Sequence, residues 1–367
     1  MKSSLGRKLI LRLMLLGFGL ALPLLLAEVV LRFLPVCDVL GVMPLNAANP
    51  VLRYVPNQDV THSSGWNFYS VHRLHINNDG FVNDQEYTAA SPAPLFAIIG
   101  DSYIEALRVP NELTLRGRLE RKVAARGRIY SFAKSGTPFS EYLAWADHAR
   151  SAYHPTAIMI SIVGNDFDES LNQYKTVPAG HYYVPDAKGE LALRLFDYRP
   201  SRLKQFVEHS ALIRYLYLDA ELPGIIYRLR HPGAKFVGNT AAEQTEQVVA
   251  ESKRAVDAFF RDLPEKSGLP SDKVLLTLDA MRPEIYDPAL LDAARDSYFA
   301  KMRRYFLEVA RAKGYAVIDL QEVFIADYAA HHQRLEFPTD NHWNEAGNAA
   351  VAAAVERSKV YRSVFGD

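Results

Sequence analysis

The sequence predicts an α/β protein: a three-layer α/β/α sandwich around a five-stranded parallel sheet, with a membrane-spanning helix in front of it. Three observations predict this. Five short apolar runs, at residues 95–99, 129–133, 157–163, 274–278 and 316–320, are each long enough for a strand buried on both faces. Helical patterns lie between or after them, at 111–125, 140–151, 241–261, 293–313 and 344–359, and such alternation is the mark of a parallel sheet with crossover helices. A cation-led apolar stretch opens the chain.

Lys2, Arg7, Lys8 and Arg12 precede an uncharged apolar run over residues 13–27, the charge order of a positive-inside signal. That run falls short of the roughly 20 residues needed to span a bilayer core. Apolar residues 9–11 and 29–31 extend it, and Arg12 and Glu28 can snorkel from the two faces. A cleavable secretory signal shares the charge pattern but lacks a small-x-small site close after the run, so an uncleaved anchor over residues 1–40 is the expectation. Cys37 follows bulky Val36 and stands well past the apolar run, which argues against lipidation. In a bacterium this orientation gives a single-pass inner-membrane protein with everything after about residue 40 in the periplasm or outside the cell.

Residues 41–92 are rich in Asn, Pro, Ser and aromatics, a lead-in of short strands and turns with Asn78-Asp79-Gly80 as a turn signal. The sandwich occupies residues 93–367 and is interrupted at about 170–239 by a segment dense in Tyr, Arg and His, read as an insertion of the kind that often carries specificity.

Composition narrows the function. The 367 residues carry 42 Lys+Arg and 42 Asp+Glu, so no basic field gathers nucleic acid. The single cysteine, Cys37, permits neither an intramolecular disulfide nor a thiolate cluster for zinc. His331-His332 beside Glu336 has no third ligand at helical spacing and reads as a solvated helix end. No metal and no cofactor is expected. Tyr182, Tyr183, Tyr215 and Tyr217 can stack on sugar rings, but aromatic packing is the commoner use and they receive no site role.

The chemistry-bearing residues gather at the carboxyl ends of the expected strands, where open α/β sheets bind ligands. The first strand runs into Gly100-Asp101-Ser102-Tyr103, and a Ser hydroxyl becomes a nucleophile once a base takes its proton. Lys134-Ser135-Gly136 follows the second strand and Gly164-Asn165-Asp166 the third, offering a backbone N–H and a side-chain amide to a developing oxyanion. Near the C-terminus, Asp340 stands two residues before His342 in Pro338-Thr339-Asp340-Asn341-His342-Trp343-Asn344. There a carboxylate can orient an imidazole base, while Asn344 or Asp340 caps the final helix. Taken singly, each motif is also ordinary turn or capping chemistry. Asp166 and Asp168 either shape the pocket or cap the next segment.

Together the four motifs resemble the SGNH hydrolase superfamily, the GDSL esterases and lipases, over roughly residues 93–360. The resemblance implies Ser102 as nucleophile and His342 as general base and then acid. It implies Asp340 as the acid orienting His342, and an oxyanion hole of the Ser102 N–H, the Gly136 N–H and the Asn165 side chain. Many members carry the acid three residues before the His, where this chain has Thr339. The minus-two spacing, with Trp343 after the His, looks like periplasmic proteins that O-acetylate alginate and related exopolysaccharides. The lead-in Ile76-Asn77-Asn78-Asp79-Gly80-Phe81 likewise looks like membrane-anchored bacterial members. The expected function is therefore a membrane-anchored extracytoplasmic serine esterase acting through an acyl-enzyme on O-acyl esters of a carbohydrate, with acetyl the expected acyl group. The alternatives are an exopolysaccharide O-acetyltransferase and a non-catalytic glycan-binding scaffold among polysaccharide-assembly partners.

Overall fold

In the computed structural model, which describes residues 2–175, 179–233, 235–282, 284–338 and 341–366, the five apolar runs all become strands. Strands β1 (Gln58–Ser64) and β2 (Ser70–Ile76) pair in the lead-in. The core strands β3 (Leu95–Gly100), β4 (Arg128–Ala133) and β5 (Ala157–Ile162) follow. Hairpins β6 (Gly180–Pro185) with β7 (Leu191–Phe196) and β8 (Phe236–Val237) with β9 (Thr240–Ala241) precede the last core strands, β10 (Val274–Leu278) and β11 (Ala316–Asp319).

The helices used below are α1 (Lys2–Leu31), α2 (Ser102–Glu105), α3 (Leu115–Val123), α4 (Phe139–Tyr153), α5 (Asp166–Glu169), α6 (Arg202–Glu208), α7 (Ala211–Arg214) and α8 (Leu222–Arg230). They continue with α9 (Glu246–Ser267), α10 (Pro288–Ala293), α11 (Tyr298–Ala312), α12 (Leu320–His331), α13 (Glu345–Glu356) and α14 (Lys359–Phe365).

The chain divides into two compact units. The larger holds residues 41–59, 74–199 and 233–367 and contains the sheet, in the order β4-β3-β5-β10-β11 with every pairing parallel. Alternate side chains of β3 serve two cores. Leu95, Ala97 and Ile99 pack with α4, α9 and α11, whereas Phe96 and Ile98 pack with α3, α12, α13 and α14. This period-two division makes the three layers. The strand order places β4 and β5 on opposite sides of β3, and ligands of such sheets bind at the carboxyl ends beside that reversal.

Edge protection separates the two outer strands. The Tyr87 hydroxyl of the lead-in donates to the Ser131 carbonyl at 2.7 Å and accepts from its N–H at 2.8 Å, so edge strand β4 is wholly buried. At the other edge β11 is half-buried throughout, which corrects the expectation of burial on both faces for every strand. Several helix boundaries also differ from expectation: the helices expected from 111 and from 293 start only after the caps Thr114 and Ser297. Residues 240–241 belong to the β8–β9 hairpin, and α9 starts only after Thr245, whose hydroxyl accepts from the Val248 N–H. The C-terminal pattern is two helices, because Ser358 caps a fresh start with its side chain on the Tyr361 N–H.

The smaller unit holds residues 1–40, 60–73 and 200–232. Within it α1 carries one stretch, Leu11–Leu31, long and apolar enough to cross a membrane, a property shared with signal sequences. Glu28 near its end accepts hydrogen bonds from the N–H groups of Ala211 and Leu212 and from Ser210 Oγ, capping α7.

Candidate active site

Gly100 closes β3 so tightly that a Cβ there would meet Ile104 at 2.4 Å. Asp101 then caps α2 through Oδ1, which accepts from the Tyr103 N–H at 3.0 Å. Ser102 follows, half-buried beside buried Asp101 and Tyr103, so its hydroxyl sits at the open end of a buried strand. Ser102 Oγ lies 2.8 Å from His342 Nε2 and 3.3 Å from Asp101 Oδ2, which makes the imidazole the nearer partner for the hydroxyl. Burial holds the Asp101 carboxyl above the usual carboxylate range. Asp279 adds in the same sense, against the Tyr103 N–H and His342.

His342 is set in a loop tied to its surroundings on both sides. Its carbonyl accepts from the Phe337 N–H at 3.1 Å, and the Asn344 N–H donates to Leu335 at 3.0 Å. Asn344 caps α13, accepting from the Gly347 N–H at 2.9 Å. The Tyr103 ring packs against the imidazole with centroids 4.7 Å apart. Thr339 and Asp340 lie outside the described residues.

A second tie comes from β10. Asp279, one residue past that strand, hydrogen-bonds through its N–H to Ile162 at 2.9 Å and accepts the Trp343 indole N–H on Oδ1 at 2.9 Å. Its Oδ2 accepts from Arg282, whose other terminal nitrogen donates to the Asn341 carbonyl. Both partners of this ion pair are fully buried, and the guanidinium also lies 5.4 Å from the Tyr103 ring centroid. Burial alone would weaken the Arg282 charge; the Asp279 carboxylate more than compensates and raises its pKa. The residues on either side of His342 are thus clamped by one buried pair.

The loops after β4 and β5 flank Ser102, since those strands flank β3. Gly136 adopts φ +75°; a Cβ there would touch nothing within 4 Å, while its carbonyl accepts from Lys175 Nζ at 3.0 Å. Buried Glu105 fixes this loop, accepting the Ser135 N–H at 2.9 Å and the Ser135 hydroxyl on one oxygen and the Tyr54 hydroxyl at 2.5 Å on the other. Beyond β5, the Asn165 side-chain oxygen accepts from Asn239 Nδ2, leaving the amide N–H₂ as the group it can offer. Asp166, raised in pKa chiefly by burial, accepts from the Val163 N–H at 2.8 Å and the Tyr142 hydroxyl at 2.9 Å, and so staples the turn from within.

Sequence reasoning missed three groups here. Asp279 shares the placement that singled out Ser102, Gly136 and Asn165, within three residues of the carboxyl end of a buried strand. Arg282 and Asn239 had none. The Gly238-Asn239 turn reaches both loops, for the Gly238 carbonyl accepts from the Asn341 side chain and Asn239 bonds Asn165. A Cβ on Gly164 would stand 2.6 Å from the Asn239 side-chain oxygen, so a larger residue there would displace the Asn239 side chain.

No family model and no curated protein matches this chain. Solved structures resemble its fold at low identity. A lipase from a goat rumen metagenome is 13% identical, with 74% of this chain and 99% of that one covered at a TM-score of 0.40. An alpha/beta hydrolase enzyme from the metagenome of Lake Arreo, Spain, is 16% identical, with 77% and 99% covered at 0.39. A lipase/acylhydrolase from Enterococcus faecalis is 12% identical, with 74% and 96% covered at 0.38.

Proposed function

We propose that this protein is a membrane-anchored, extracytoplasmic serine esterase of SGNH type that removes O-acyl groups, acetyl in particular, from a carbohydrate. The observation that carries the reading is the 2.8 Å contact between Ser102 Oγ and His342 Nε2 at the carboxyl end of β3. In the proposed reaction His342 takes the hydroxyl proton as Oγ attacks the ester carbonyl. The oxyanion is received by the N–H groups of Ser102 and Gly136 and by the Asn165 amide. Collapse breaks the ester C–O bond, His342 returns the proton to the leaving sugar oxygen, and the acyl group stays on Ser102. Water, deprotonated by His342, then releases the acid and restores the serine. Asp340 is proposed to orient His342, on the strength of the sequence pattern alone.

The same acyl-enzyme gives O-acetyl transfer when a sugar hydroxyl replaces water, and carbohydrate specificity rests on the sequence resemblance around Asp340-Asn341-His342-Trp343. The apolar helix α1 supports the anchor. The test is hydrolysis of a chromogenic acetyl ester and of an acetylated glycan by the full chain and by Ser102→Ala. The reading expects turnover in the parent and none in the variant. Equal background rates in both would leave a non-catalytic glycan-binding protein.

A further inference from the structure

Helix α8 has no buried residue, yet Leu222, Ile225, Ile226 and Leu229 recur at intervals of three, four and seven, one apolar stripe along one face. Leu229 is 76% exposed. Ile213 and Leu216, on the preceding helical turns, are exposed as well. The pattern belongs to one unit. Among the described residues beyond the α1 exit, segments 60–73 and 200–232 expose twelve large apolar side chains, whereas the far longer remaining unit exposes three, Phe236, Leu290 and Ile325. Such a concentration on a short stretch of chain marks a contact surface, not scattered surface hydrophobes.

The same unit contains α1. Leu31 and Val36, at and after the end of that helix, pack with Ala211, Phe68 and Tyr215, while Glu28 caps α7. The Tyr215 hydroxyl holds the Trp66 carbonyl at 2.7 Å, and the Trp66 side chain is 74% exposed. An indole and a charge-bearing amphipathic helix, built onto the end of a membrane-length helix, are the constituents of a bilayer interface. Helix α8 carries Arg228 and Arg230 and no acidic residue, so its charge suits anionic headgroups while its stripe suits acyl chains.

We infer that the apolar stripe of α8, with the exposed indole of Trp66, lies in the headgroup–acyl boundary of the bilayer that α1 crosses, a second and in-plane attachment to anionic lipid. This rests on the proposed anchoring by α1 and is independent of the chemistry at Ser102.

The test uses the full chain in proteoliposomes of phosphatidylethanolamine and phosphatidylglycerol, with or without bromine on the acyl chains. Indole probes are introduced singly as Leu229→Trp in α8, Leu20→Trp in α1 and Leu290→Trp as an exposed control in the other unit, each read against the parent. The α8 probe is expected to shift to the blue and lose emission to brominated lipid, as the α1 probe does, while the control loses none. Replacing phosphatidylglycerol by phosphatidylcholine should weaken quenching of the α8 probe alone. Quenching in α1 with none in α8 overturns the inference and leaves the anchor standing; no quenching in either removes both. A blue-shifted α8 probe insensitive to bromine means that a protein covers the stripe, and overturns it equally.

Discussion

Replacing Trp343 by Phe removes the indole N–H and leaves a smaller ring in a fully buried slot, so a cavity term adds to the lost hydrogen bond. The bond lost is the 2.9 Å contact to Asp279 Oδ1, a hydrogen bond to a charged acceptor, which is worth about 1.5–3 kcal/mol. Set against a folding free energy of about 5–15 kcal/mol, the variant stays folded, with its Tm several degrees lower. The kinetic effect should exceed the thermal one. His342 is held between Trp343 and Asn341, and both are tied to the Asp279–Arg282 pair. Loosening one tie lets the imidazole drift from Ser102 Oγ, and a misplacement of about 1 Å costs about 100-fold in rate. We expect kcat for acetyl ester hydrolysis to fall about 10- to 100-fold with KM nearly unchanged. Arg282→Met should be worse for stability, by about 3–5 kcal/mol, because it strands the buried Asp279 carboxylate without its cation. A Trp343→Phe enzyme with a lowered Tm and undiminished kcat would refute the positioning role and leave the clamp a purely structural device.

Four further outcomes are expected. Asn165→Ala should lose about 2.7–4 kcal/mol of transition-state stabilisation in kcat/KM. Asn239→Ala, which only orients that amide, should lose less; steady-state kinetics showing no loss for Asn239→Ala contradicts the orienting role. Gly136→Ala meets no neighbour but must hold φ +75°, costing about 1–2 kcal/mol of stability, and a disproportionate fall in kcat is expected if the Gly136 N–H serves the oxyanion; Tm and kcat measured together decide it. Burial, with the Asp219 and Asp38 carboxylates nearby, pushes the Cys37 thiol up to about 11, so at pH 8 it is neutral in the folded chain. Mass spectrometry should find it unmodified by iodoacetamide until the chain unfolds, and rapid alkylation of folded protein would contradict the buried assignment.

The sheet was legible because each core strand is a nearly pure apolar run, and the polar residue after each run marks the end at which a site forms. Ser102 and His342 were legible together, 240 residues apart, only through a shared pattern, since no local signal brings them within hydrogen-bond reach. The edge position of β11 and the short β8–β9 hairpin were not, because pairing order and two-residue strands leave no periodicity to read. The Asp279–Arg282 pair was hidden for a different reason. Charged residues in a loop read as solvated, and their complete burial is a property of the layers packed over them. Likewise Asn239 acquires its role from a partner on another strand end, across a segment whose sequence suggested only an insertion.

The most direct measurement is labelling of the folded chain by a fluorophosphonate ester, read by intact mass and peptide mapping, because such reagents capture an activated serine and ignore ordinary hydroxyls. The account predicts a single adduct on Ser102, absent in Ser102→Ala and greatly slowed in His342→Ala at unchanged Tm. A folded parent chain that stays unlabelled, or that carries its adduct on another serine, contradicts it.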